Sequence, residues 1–490
     1  MEPPMSSSRL ADSSHFGSLH PSSQRSSQCG AMRDLYENLM SLQQGSLVST
    51  RTFVEERLKF AHALSSDLPA SPSELMSWMR QRTLHVSVEY SQYLQARKLG
   101  GQRRYFRNRS HALFFLRAVA PTKLVDGAWL YGLLPHWRDA GLHALVRTYL
   151  EELGDGVAAR NHVLLYRQLL VGHGCDDLTG LDDKYYEQGA LQLALGHLAA
   201  QYVPEVIGFN LGYEQLPLHL LITAYELAEF GIDPYYFKLH VTIDNAATGH
   251  AQKAVNAVTD NVPVLGDADA FYRRVAVGYR LNDLGAGSTA IIESFNLEDE
   301  LLQMLERKRM FAQNMHSDYC RIDGRTVNEW LGDGKPISLF METLQKYGWI
   351  RRHADPQQSR FWQLLQGQKA AMFGVFTEYE QQLLYDWIAG EWLSDVETEQ
   401  PHQLAVKRRR ASFRQIAGGK SFSNAATQGR VDRASYASQD IDAESDALEE
   451  ELAGIGAAPK EQCLIGLVAP GLHWSPAGLK ATRILSRLVQ

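Results

Sequence analysis

Hydrophobic positions recur along most of this chain with a period near that of an α-helix, and helices are the elements they predict. Between residues 142 and 153, Leu142, Leu145, Val146, Tyr149, Leu150 and Leu153 follow an i, i+3, i+4, i+7, i+8, i+11 stripe. That is the signature of a helix with one buried face. The runs LQLALGHLAAQY, ELAEF and DPYYFKLHVTID continue the pattern, each bounded by Gly, Asp or Pro. No alternation of period two extends beyond four or five residues. The expected fold is all-α: a helical bundle over about 85–290, with N-terminal helices over 32–84 packing on it and a turn at Pro69–Glu74. The runs LEDELLQMLERKRMF and TEYEQQLLYDWIAGEWL predict a second, smaller helical domain over 296–398.

Two tracts lack this periodicity. Residues 1–31 contain ten serines and few large apolar groups. Such a segment buries too little surface to offset its ordering entropy, so a disordered leader is expected. Residues 399–460 hold the basic KRRR at Lys407–Arg410, a Gly/Ser/Ala/Gln-rich stretch and the acidic run DAESDALEEE. They read as a charged low-complexity linker, with residues 461–490 as a C-terminal tail. KRRR alone, in an acidic chain, is read as linker rather than as an address or a nucleic-acid patch.

Composition narrows the function classes. At 44% hydrophobic and 21% charged residues, the 490-residue chain is globular in character. Its net charge of −7 argues against a nucleic-acid partner. The four cysteines, Cys29, Cys175, Cys320 and Cys463, are far apart and form no CxxC. They exclude a disulfide scaffold and a thiolate zinc site, and they favour a reducing compartment. No apolar run approaches the length of a membrane span, and the N-terminus lacks the apolar core of a signal peptide. A soluble, cytoplasmic protein with no membrane partner is expected.

The chemistry is suggested where acids and imidazoles interrupt apolar faces. Glu152 lies at the edge of the Leu142–Leu153 stripe, whereas Glu151 points away from it. The helix must end at Gly154-Asp155-Gly156. Asn161 then reads as an N-cap, which sets His162 in the first turn of the next helix, where positive potential favours a neutral, metal-binding ring. Glu214 follows a long apolar helix and stands three residues before Pro217, which kinks the backbone and can aim the acid inward. His240 and Asp244 are i, i+4 on an otherwise apolar face, with His250 further on. Three carboxylates with two or three imidazoles and no thiolate suit two iron or manganese ions better than zinc. Each pair also admits a structural reading: a partly solvated acid with a surface histidine, an acid at a helix-terminating turn, and a core histidine bonded to its own helix. Tyr213, Tyr235 and Tyr236 read as packing aromatics, and His316 with Cys320 as structural residues.

The segments FLRAVAPTKLVDGAWL (115–130), EELGDGVAARNH (151–162), GFNLGYE (208–214) and GIDPYYFKLHVTIDNAATGH (231–250) together resemble the haem-oxygenase-like diiron oxidases and oxygenases, the iron-containing redox enzymes. The resemblance covers roughly residues 100–290. It implies a helical bundle whose core helices hold two Fe(II) ions, with dioxygen as co-substrate. The implied metal ligands are Glu152, His162, Glu214, His240, Asp244 and His250, with Glu205 in reserve for Glu214. Where the family's third core helix carries a further histidine, this chain has Ala247, and the next histidine is His250. On an ideal helix His250 would lie about 15 Å along the axis from His240. Either Gly249 lets the backbone bend and bring His250 inward, or the second iron is weakly held or absent. No catalytic residue beyond these ligands and no organic cofactor is implied.

The implied activity is oxygenation of a small molecule derived from an amino acid, with N-oxygenation in natural-product metabolism ahead of oxidative C–C cleavage or desaturation. An electron donor or reductase and a homodimer are family-level expectations. A different class stands beside these, a metal-independent enzyme or small-molecule binding module on the same fold. In that reading Glu214 and Asp244 are hydrogen-bonded structural residues.

Overall fold

A computed structural model describes residues 30–41, 47–243, 249–332, 334–366, 370–372, 374–392, 447–450, 452–454 and 456–489. Residues 1–29 of the Ser-rich leader, the KRRR tetrapeptide and residues 399–446 of the linker lie outside the described residues, as does Asp244. The helices run α1 Ala31–Met40, α2 Leu47–His62, α3 Leu75–Lys98, α4 Arg109–Ala118, α5 Ala120–Lys123, α6 His143–Glu152, α7 His162–Val171, α8 Glu187–Leu198 and α9 Val203–Tyr213. They continue as α10 Leu218–Glu229, α11 Tyr235–Ile243, α12 His250–Asp260, α13 Ala268–Arg280, α14 Ser288–Glu293 and α15 Leu297–Ala312. After the strands β1 Arg321–Ile322 and β2 Arg325–Thr326 come α16 Val327–Gly332, α17 Ile337–Lys346, α18 Arg360–Gln366 and α19 Glu378–Ala389. Two helices close the chain, α20 Ala457–Leu467 and α21 Pro476–Leu488. The fold is all-α; the two-residue pair β1–β2 is the one sheet among the described residues. No helix there is long and apolar enough to cross a membrane.

The stripe expected on α6 is buried in full, from Leu142 to Leu153. It packs against α12 and a 3-10 stretch at Ala128–His136, which in turn lies on α8. Side-chain caps start several helices as the residue types require. Asn161 Oδ1 accepts the Leu164 amide, Asp267 caps α13, and Thr377 with Glu380 forms a capping box on α19. Helix α9 runs along α13 and ends at Tyr213. Pro217 therefore terminates one helix and caps the next rather than kinking a single one. A second break separates α11 from α12, where Gly249 sits in an extended conformation and α12 restarts at His250.

Helices α15–α19 pack beside the bundle, and α19 lies on α4, where Asp386 accepts the Ser110 amide at 2.8 Å. Residues 457–489, read from sequence as the linker's end and a tail, form the α20–α21 hairpin. It folds back onto α6 and the connection that follows it.

Candidate metal centre

Four short connections bring acids and imidazoles to the middle of the bundle. The turn before the Ala128–His136 stretch presents Asp126, and Gly127 behind it adopts φ +80°. A Cβ at Gly127 would stand 3.0 Å from the Glu152 Cβ, so the close approach of this turn to α6 depends on glycine. The end of α6 supplies Glu152, and the first residue of α7 supplies His162. The break after α9 supplies Glu214, α11 supplies His240, and the restart at α12 supplies His250. All six side chains are buried.

They form two groups that share one carboxylate. In the first, ligand atoms of Asp126, Glu152, His162 and His240 lie within 4.8 Å of one another; in the second, those of Glu152, Glu214 and His250 do. Glu152 Oε2 touches His162 Nδ1, and Glu152 Oε1 lies 3.0 Å from His250 Nδ1. His250 Nδ1 is also 3.3 Å from Glu214 Oε2, and His240 Nε2 is 3.0 Å from Asp126 Oδ2.

Hydrogen bonds behind the groups fix which nitrogen faces inward. His240 Nδ1 meets the Tyr236 carbonyl at 3.0 Å. A carbonyl only accepts, so Nδ1 carries a proton and Nε2 is the nitrogen turned toward the Asp126 carboxylate. His250 Nε2 likewise meets Glu151 Oε2 at 2.8 Å, which turns Nδ1 toward Glu152 and Glu214. Carboxylate- or carbonyl-backed imidazoles of this kind are the usual support of metal-binding histidines. Asp126 is held by two tyrosines, Tyr213 to Oδ1 at 2.8 Å and Tyr236 to Oδ2 at 2.7 Å. Lys123 donates to Tyr213 in turn, at 3.0 Å.

The electrostatics favour a cation. Burial opposes ionisation of Asp126, yet Lys123 and His240 outweigh it and hold the carboxyl well below its usual range. Burial is likewise overcome at Glu152, chiefly by His162, and that carboxyl is also well below normal. Glu214 is pushed up by burial, which His250 only partly offsets. His250 is raised well above a normal imidazole despite its burial, because Glu214, Glu151 and Glu152 surround it. Two polar atoms here, His162 Nε2 and Glu214 Oε1, are buried without a hydrogen bond. Left in that state each carries a desolvation cost of about 1–3 kcal/mol. Facing acceptors, converging carboxylates and no thiolate fit a hard or borderline divalent ion such as iron or manganese. Cys175 is no thiolate ligand, since burial pushes its thiol up to about 12.

Five of the six residues expected from sequence are therefore brought together, while Asp244 lies outside the described residues. The reserve acid Glu205 belongs elsewhere; its carboxylate forms a double hydrogen bond with Arg274, at 2.6 Å twice. Glu151 does not simply face away, because α12 packs there and supplies His250 and Lys253 as partners. Tyr213 and Tyr236 do more than pack, whereas Tyr235 is exposed and bonds to the Ala159 carbonyl. Asp126 escaped the sequence reading. Its signal was an acid inside the apolar run LVDGAWL, in a turn where no helical period could assign it a face.

No curated protein and no solved structure matches the chain. Residues 113–282, which carry every one of these donors, match the family described as iron-containing redox enzyme.

Proposed function

We propose that this protein is an oxygen-activating, non-haem diiron oxidoreductase that N-oxygenates a small molecule derived from an amino acid. The observation that carries the diiron reading is Glu152, whose two oxygens face two different imidazoles in two different donor groups. A carboxylate so placed would serve both donor groups. Asp126, His162 and His240 would complete one site, and Glu214 with His250 the other. Two ferrous ions bound there would supply the electrons for reduction of dioxygen.

The remaining roles belong to the protein. Tyr213 and Tyr236 hold Asp126 in place, and Glu151 and the Tyr236 carbonyl engage the outer ring nitrogens, leaving the inner nitrogen of each imidazole as the one that would ligate an ion once its proton is displaced. Burial of the whole set excludes bulk water and strengthens each of these interactions. The substrate class rests on the family resemblance. It is supported by Lys123, a half-buried cation near Asp126 that has a tyrosine hydroxyl and, among the described residues, no carboxylate within 4 Å. Such an ammonium suits the carboxylate of an amino-acid-like substrate.

Anaerobic loading with ferrous iron, removal of excess metal and rapid mixing with oxygen test the reading. Two irons per chain and an oxygen-dependent change in visible absorbance are expected. A folded chain that retains less than one iron would sink it.

A further inference from the structure

The metal-binding residues all lie within the segment that matches the family, but the segment's central connection is braced from outside it. The connection between α6 and α7, residues 153–161, joins Glu152 to His162, and together with its two flanking helices it is tied at four points to the C-terminal hairpin. Tyr149 on α6 donates to the Val468 carbonyl at 2.6 Å. Arg483 on α21 donates to the Gly156 carbonyl at 3.0 Å. Trp474 lies under the Arg167 guanidinium of α7, with 4.0 Å from Cζ to the ring centre. The fourth tie is His473, buried at 1% exposure, whose Nδ1 lies 3.0 Å from Asn161 Nδ2.

Asn161 is the joint of the connection. Its Oδ1 accepts the Leu164 amide and caps α7, and its Nδ2 donates to the Leu153 carbonyl at 3.2 Å, closing the end of α6 against the start of α7. The same Nδ2 reaches His473. An amide nitrogen only donates, so His473 Nδ1 is the acceptor, and that bond selects the amide orientation that leaves Oδ1 for the cap. Gly156, at φ +77°, shows how close the hairpin sits, since a Cβ there would collide with the Leu479 carbonyl and with Arg483.

We infer that His473 is a positioning residue for the metal centre. Through Asn161 it sets the first turn of α7 and hence the place of His162, so the α20–α21 hairpin is an integral part of the metal-binding unit. This rests on the metal-centre reading for its effect on iron and on the hydrogen-bond geometry alone for its effect on α7.

The test uses the full chain and two substitutions at one position. His473→Leu fills the space but removes the acceptor. His473→Asn restores an acceptor, because Asn Oδ1 falls near the place of His Nδ1. Hydrogen exchange of the metal-free protein, read on peptides spanning residues 157–166, is expected to speed up in His473→Leu and to stay at the wild-type rate in His473→Asn. Anaerobic ferrous titration is expected to show one of the two ions held at least tenfold more weakly in His473→Leu, with affinity recovered in His473→Asn. Unchanged exchange at residues 157–166 in a folded His473→Leu overturns the inference, and so does unchanged iron affinity. If the wild-type chain binds no iron, the diiron proposal fails and the exchange measurement still decides the role of His473. Tyr149→Phe, which deletes only the hydroxyl bonded to Val468, is a milder variant should His473→Leu fail to fold. It is expected to speed exchange over the same peptides, and wild-type exchange there would count against the brace.

Discussion

Glu152 is asked to do two things with one carboxylate, and its neighbours share the load unevenly. Glu152→Gln keeps the shape but removes the charge that both donor groups use, so iron retained after anaerobic loading should fall below one per chain. Asp126→Asn and Glu214→Gln each disturb one group, and each should leave about one tightly held iron. Retention of two irons by Glu152→Gln would remove the shared-carboxylate reading. His162 was readable from sequence because its neighbour Asn161 announces a helix start at a fixed offset, a local rule needing no knowledge of the fold. Asp126 was not, because it sits in a turn and its partners Tyr213, Tyr236 and His240 are between 87 and 114 residues away. Glu151 was misjudged for a related reason. A helical wheel describes one helix and its own stripe, whereas the outward side of α6 at this point is covered by α12.

Helices behave here as carriers whose ends matter more than their middles. The α6 stripe, the α7 cap and the helical character of the whole chain were legible, since periodicity and capping are properties of short windows. The break between α11 and α12 was open in the sequence, where Gly249 offered it without requiring it. An unbroken helix would have separated His240 and His250 too far for one centre. The extended Gly249 lets the chain restart, and the two imidazoles serve different donor groups. Helix α4 carries a separate element-scale consequence. His111 is buried there, donates from Nε2 to the Ile292 carbonyl at 2.8 Å, and stacks on Phe295. Burial lowers its imidazolium pKa to about 4, and Arg107 adds to the effect. An unfolded histidine titrates near 6.5, so between those values the unfolded chain binds the extra proton. Stability from this site is therefore complete above about pH 6.5 and lost as pH falls toward 4, on the order of 3 kcal/mol in all. Urea midpoints measured across that window should fall less steeply for His111→Gln, which keeps a donor toward Ile292 but cannot be protonated. An unchanged slope would show that other groups dominate the acid response.

For the molecule as a whole, the proposed iron sites would make folding and metal loading one equilibrium. Acids crowd around buried donors that lack hydrogen bonds, so the ions should stabilise the native state against the unfolded chain. At a free concentration 100 times its dissociation constant, one bound ion contributes about 2.7 kcal/mol. Thermal unfolding under anaerobic conditions should shift upward by several degrees with ferrous iron and return on chelation. A melting temperature indifferent to saturating iron would contradict this. The sequence could not reveal that the last part of the chain returns to the centre, because Asn161 and His473 are 312 positions apart and neither stands out in its own window.

That separation has a consequence in time. Closing so long a loop costs only a little more than closing a short one, about 0.6 kcal/mol for each doubling of length. Synthesis is less forgiving. At roughly 5–20 residues per second, the ribosome finishes the connection after α6 about 15 to 60 seconds before it makes the histidine that braces it. During that interval α7 begins without its outer support. If His473 braces this connection as inferred, the centre reaches its final form only after the C-terminal hairpin has been made.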